Sequence, residues 1–155
     1  MTTPTTATDR LTPVERGAWR GFLRVHTALT RELDAELEAA HGLPLTSYEV
    51  LLHLADSPEG MMRMSELADS VLLSRSGLTR LADRLERDGL IERRACPSDA
   101  RGANATITPT GRERFEAARE THLAGVRGLF LAHVSEREAK QLARVWDRIS
   151  PGAAE

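Results

Sequence analysis

Between Ser65 and Thr108 the hydrophobic repeat of the chain changes from helical to alternating and then turns back on itself. Few folds accommodate that order. Leu67, Ala68, Val71 and Leu72 follow Ser65 at helical spacing, and Leu78, Leu81, Ala82 and Leu85 follow Ser74 in the same way. Each set therefore falls on one face of a helix. Ser65 and Ser74 stand where N-caps belong. Asp88-Gly89 stops the second of these helices, glycine being favoured just past a helix end. Leu90-Ile91-Glu92-Arg93-Arg94 then reads as a strand, and Ala103 to Thr108 as its hairpin partner. The connection, Arg94 to Gly102, is rich in Pro, Ser, Asp and Gly, as an exposed turn should be.

Helical segments flank this unit. Thr12-Pro13-Val14-Glu15 combines a threonine cap, proline at the first helical position and glutamate at the third. Trp19, Phe22, His26, Leu29, Leu33 and Leu37 then share one face until Gly42 and Pro44 end the helix. It spans about 28 residues, well above the usual ~11–12, and so long an apolar stripe suits packing against another chain. Thr46-Ser47-Tyr48-Glu49 reads as a capping box opening a second helix, which Ser57-Pro58-Glu59-Gly60 stops. Met61 to Met64 forms at most a minor strand. Thr108-Pro109 starts a fifth helix carrying Phe115, Ala118, Leu123, Val126 and Phe130. Ser135-Glu136-Arg137-Glu138 opens a sixth, through Leu142, Val145, Trp146 and Ile149. The expected fold is mainly α with a small β-hairpin wing, a winged helix-turn-helix.

Composition narrows the function. A chain of 155 residues fits one domain, and an apolar fraction of 41% argues against disorder. No apolar run approaches the roughly 20 residues of a spanning helix. Residues 1–11 lack the order of a secretion signal and read as a disordered lead, so the expected location is cytoplasmic. The single cysteine, Cys96, excludes an internal disulfide. The histidines are scattered without acidic or thiol neighbours at ligand spacing, so neither a metal nor a cofactor is expected. No G-x-S-x-G, H-E-x-x-H or phosphate-binding glycine loop is present, which argues against an enzyme. A net charge of −2 is not the usual mark of a nucleic-acid-binding domain. Its distribution helps more: Arg75, Arg80, Arg84, Arg87, Arg93, Arg94 and Arg101 cluster in the central unit.

In a helix-turn-helix the second helix enters the major groove with its first turns toward the bases. With Leu78, Leu81 and Leu85 inward, Arg75, Ser76, Thr79, Arg80 and Asp83 or Arg84 lie outward. Arginine can donate a bidentate pair to guanine, and serine or threonine suits phosphates. The free amides near Ser74 and Ser76 suit a phosphate as well. Arg101, placed at the hairpin tip, can reach a minor groove, and Asp99 can orient its guanidinium. The plainer alternatives are a hairpin ion pair, and Asp83–Arg87 and Arg84–Asp88 pairs along a solvated face.

The order of helices, Ser65-Glu66-Leu67-Ala68, the run Ser74-x-Ser76-Gly77-Leu78-Thr79-Arg80-Leu81-x-Asp83-Arg84-Leu85-Glu86-x-x-Gly89-Leu90-Ile91, then Asp99-x-Arg101-Gly102 and Ile107-Thr108-Pro109-x-Gly111 closely resembles the MarR family of regulators. The resemblance covers about residues 12 to 150. It implies a homodimeric DNA-binding repressor, less often an activator, released from a pseudo-palindromic operator by a small molecule. It implies residues 12–44 and 109–150 as dimerisation helices around a DNA-binding region at 45–108. The DNA contacts would then be Ser74, Arg75, Ser76, Thr79, Arg80, Arg84 and Arg94, with Arg101 in the minor groove and Asp99 as its partner. Gly77 stands where many members carry a β-branched or small polar residue.

The family commonly binds phenolic or other aromatic compounds, which makes Trp19, Phe22, His26 and His53 the candidate effector contacts, with Arg24 a further polar group. The competing reading for these residues is dimer or core packing. Two other functions stay open: a thiol-oxidation sensor through Cys96, with Arg93, Arg94 and Arg101 as positive neighbours, and a winged-helix interaction module without DNA binding.

Overall fold

A computed structural model describes residues 10–71, 73–96 and 99–150, with side chains not described at 99–101. Six α-helices and a three-stranded sheet follow in the order α1 (Pro13–His41), α2 (Leu45–Asp56), β1 (Met61–Arg63), α3 (Met64–Ser70), α4 (Arg75–Arg87), β2 (Ile91–Cys96), β3 (Asp99–Ile107), α5 (Pro109–Leu129) and α6 (Glu136–Ile149). Single 3-10 turns lie at Pro58–Gly60 and Leu131–His133.

The threonine and serine caps of the long helices form as expected. Thr12 Oγ1 accepts from the Glu15 amide and Glu15 returns a carboxylate to the Thr12 amide, a reciprocal box. Ser135 and Glu138 repeat it at α6, and Thr108 Oγ1 accepts from the Gly111 amide at α5. Two expected caps do not form. α2 begins at Leu45, so Thr46 already lies inside the helix. The Asp34 carboxylate of α1 accepts from the Leu45 amide at 2.8 Å, doing from another helix what a local cap would do. Ser65 likewise falls inside α3, which starts at Met64 directly after β1 and has no side-chain cap.

The core gathers Leu37, Leu43, Tyr48, Val50, Leu51, Leu54, Leu67, Leu78, Leu85, Ile91 and Phe115, all almost fully buried. It binds α2, α3 and α4 to the sheet and to α5. Two glycines permit the closest approaches. A Cβ on Gly111 would stand 2.0 Å from the Leu90 carbonyl oxygen, so only glycine lets α5 start against the entry to β2. A Cβ on Gly125 would stand 2.6 Å from both Leu33 and Glu36 side-chain atoms, where α5 crosses α1. Beyond that crossing α1 is nearly uncovered; only Leu33 and Leu37 are buried along it. α6 buries no residue at all.

The sheet runs in the order β1-β3-β2, antiparallel throughout. β2 and β3 pair from Ile91–Ile107 to Ala95–Ala103, and Cys96 then faces Asp99. The hairpin is therefore longer than expected. The expected turn, Arg94 to Gly102, is largely strand, and Arg101 lies within β3 rather than at a tip. The register shifts between Ala95, which faces Ala103, and Cys96, which faces Asp99.

Candidate nucleic-acid interface

α4 presents the surface the pattern requires. Leu78, Leu81, Ala82 and Leu85 are buried, while Arg75, Ser76, Thr79 and Arg80 are exposed. Ser74 Oγ accepts from the Gly77 amide at 3.1 Å and lies 3.3 Å from Ser76 Oγ. A Cβ on Gly77 would come within 3.0 Å of Ser74 Oγ, so glycine keeps the cap uncrowded. The Thr79 hydroxyl donates to the Arg75 carbonyl at 2.9 Å, which leaves its oxygen free to accept. Arg84 is exposed as well, and its Nη2 donates to Ser47 Oγ of α2 at 3.5 Å.

Acidic side chains on the same helix are not left to repel an anion. Neither Asp83–Arg87 nor Arg84–Asp88 forms among the described residues. Instead Arg93 of β2 reaches across to α4. Its Nη2 donates to Asp83 Oδ1 at 2.6 Å and to Glu86 Oε2 at 2.7 Å, and its Nε donates to Glu86 Oε2 at 3.1 Å. The Arg93 amide donates to Glu86 Oε1 at 3.0 Å. These bonds, the side-chain pair foremost, hold the Glu86 carboxyl below the usual carboxylate range. Arg94, beside it, is exposed and pairs with Glu92 at 3.0 Å.

Between α4 and the sheet lies a groove of about 470 Å³, lined in part by Arg63, Ser65, Arg75, Thr79, Arg93 and Gly102. The side chains of Asp99 and Arg101 lie outside the described residues. Cys96 is buried, with Arg63 Nη2 at 3.7 Å from its sulfur. Arg63 was not among the residues the sequence pointed to, because strand β1 brings it there from outside the helix-turn-helix.

The candidate effector residues divide. Trp19, Phe22 and His26 form a row on α1, with centroids 6.1 Å apart at each step, and Phe22 meets Trp146 of α6 at 5.4 Å. The row is open: Trp19 is 55% and Phe22 43% exposed. His53, on α2, is half-buried and joins none of these rings among the described residues. Glu49, also on α2, is raised above its ordinary range by burial, with His26 opposing. Arg24 is exposed on α1. Among the described residues no cluster of His, Cys, Asp and Glu could hold a metal ion, and no helix is long and apolar enough to cross a membrane.

A capped helix with an exposed basic first half, braced by a three-stranded wing sheet, defines a winged helix-turn-helix protein. A family model described as the MarR family matches residues 41–102. The fold is similar to that of AbsC, a MarR family transcriptional regulator from Streptomyces coelicolor, with a TM-score of 0.86 and 34% identity over 92% of this chain and 95% of that one. It is equally similar to Sco3205 of the same organism, a MarR family regulator solved in complex with DNA. There the TM-score is 0.87 and the identity 32%, over 94% and 91% of the two chains. Among curated proteins, the transcriptional repressor YetL of Bacillus subtilis is 26% identical over 143 residues, 88% of this chain and 85% of that protein. The chain belongs to the MarR family. It is a transcriptional regulator of that type and not an enzyme.

Proposed function

We propose that the protein is a homodimeric repressor that binds a pseudo-palindromic duplex operator in the cytoplasm and leaves it when a small aromatic or phenolic compound binds. The observation that carries this reading is the exposed Arg75–Ser76–Thr79–Arg80 face behind a serine-capped helix start. That arrangement offers amides and hydroxyls for phosphates and guanidinium groups for base edges. The DNA-bound structure of the 32% identical relative supports it. Ser74, Arg75, Ser76, Thr79 and Arg80 read the major groove, with Arg84 and Arg94 nearer the backbone. Arg101, oriented by Asp99, enters the minor groove.

Dimerisation follows from surface that one chain leaves bare. Val14, Trp19, Phe22, Leu23 and Val25 of α1, and Trp146 and Ile149 of α6, are all exposed large apolar side chains. So extensive an apolar surface is what a second copy covers. Two-fold symmetry then sets the recognition helices about 34–36 Å apart, one turn of duplex. The residues assigned to the effector are Trp19, Phe22, His26 and His53, which the second copy would help to enclose. By linkage, an effector that weakens DNA binding is itself bound less tightly by the DNA complex.

Selection of duplexes from a random library by the full-length protein tests this reading. A palindromic consensus with half-sites one helical turn apart is expected, and Arg80→Ala should relax it at one position in each half-site. Failure to enrich any duplex would remove the proposal.

A further inference from the structure

The fork between Arg93 and the carboxylates of Asp83 and Glu86 has a function beyond neutralising them. Arg93 belongs to β2, the strand on which the wing is built, and both carboxylates belong to α4. Its guanidinium and main-chain amide together make four hydrogen bonds across that boundary, from 2.6 to 3.1 Å. The Arg93 side chain is only 24% exposed, so the pair with Glu86 is partly shielded from water. The bond from the amide also fixes the strand itself and not merely a side chain. At the entry to β2 the Leu90 amide donates to the Leu85 carbonyl of α4 at 2.9 Å, and Leu90 and Ile91 are buried in the common core. One bond at the strand entry leaves the wing a pivot; a forked guanidinium three residues further along the strand removes it.

We propose that Arg93 is a positioning residue for DNA binding: it locks the wing to the recognition helix, so that Arg101 meets the minor groove while α4 is seated in the major groove. The assignment rests on the DNA-binding reading above. A group that reaches no base can act this way because binding needs both surfaces in register at once. A wing free to pivot pays an ordering cost on binding that a locked wing has already met.

The test separates a lock from a charge effect by sign. Asp83→Ala/Glu86→Met removes two negative charges from the DNA-facing helix while keeping Arg93. If charge alone mattered, affinity for the selected duplex would rise. A lock predicts that affinity falls, by about tenfold at physiological salt. Arg93→Met should fall similarly, with the dimer and its thermal midpoint retained. Its effect should not multiply with that of Arg101→Ala: in the double variant the loss of Arg101 should cost less than about twofold, against about tenfold in the wild type. Tighter binding by Asp83→Ala/Glu86→Met, or multiplicative effects of Arg93→Met and Arg101→Ala, would overturn the assignment. The reading beneath it fails differently, with Arg101→Ala alone binding as the wild type does, and Arg93 would then have no DNA contact to position.

Discussion

At the scale of single residues, burial decides which side chains are available for chemistry. His122 of α5 stacks on Tyr48 of α2 at 4.5 Å, and its Nδ1 is buried with no hydrogen-bond partner among the described residues. Burial holds its pKa below the ordinary 6.5. The unfolded chain therefore takes up this proton more readily than the folded one, and stability is lost as pH falls below about 6.5. His122→Phe, which keeps the stack, should remove that part of the slope, read as the urea midpoint at about pH 5.5 and pH 7.5. An unchanged slope would mean that the ring charges without cost. Cys96 shows the same control in reverse. Its sulfur is buried against Arg63, and Arg93, expected as a neighbour, is engaged instead by α4. Cys96→Ser should leave operator binding under oxidant unchanged, and loss of an oxidant response in that variant would restore the thiol-sensor reading.

At the scale of elements, local chemistry explains most boundaries, and the exceptions are instructive. The caps at Thr12, Ser74, Thr108 and Ser135 were legible because each acts within three residues of itself. Thr46 and Ser65 misled for a shared reason: what starts α2 and α3 is not local. Asp34 caps α2 from eleven residues away, and β1 runs straight into α3. Composition understates the wing: Pro, Ser, Asp and Gly signal a turn, whereas pairing extends to Cys96 and Asp99. The inward face of α4 was legible from its 3.6-residue period; the Arg93 fork and the Phe22–Trp146 contact join separate elements and leave no trace in spacing. Gly111 allows a direct check on this packing. Gly111→Ala should destabilise the fold by about 1–3 kcal/mol or more, since the added methyl meets a backbone carbonyl that cannot rotate away. Chemical denaturation would show it, and a neutral substitution would mean that α5 is less tightly seated.

At the scale of the whole molecule, one chain leaves large apolar side chains of α1 and α6 exposed. The winged unit has a closed core, yet α1 leaves Val14, Trp19, Phe22, Leu23 and Val25 exposed, and α6 leaves Trp146 and Ile149 exposed. In the proposed homodimer a second copy of the chain covers this surface and supplies the spacing that two half-sites demand. Trp146→Glu/Ile149→Glu should shift the protein from dimer to monomer in sedimentation equilibrium and weaken operator binding, because each half-site would then bind alone. A dimer that survived the double substitution would place the interface elsewhere. The exposed apolar stripe of α1 was legible in its length and periodicity. The meeting of α1 with α6 was not, since it depends on how a helix more than a hundred residues away packs back.

A surface that engages duplex DNA with helix and wing together displaces counterions from the phosphates, so its affinity depends on salt. Affinity of the dimer for its selected duplex, measured against salt concentration, should fall steeply, by about 0.9 in log K per log salt for each phosphate neutralised. Arg101→Ala should weaken binding by about tenfold or more while the dimer stays folded. A binding constant indifferent to salt, or an Arg101→Ala variant that binds as the wild type does, would mean that helix and wing do not engage duplex DNA together.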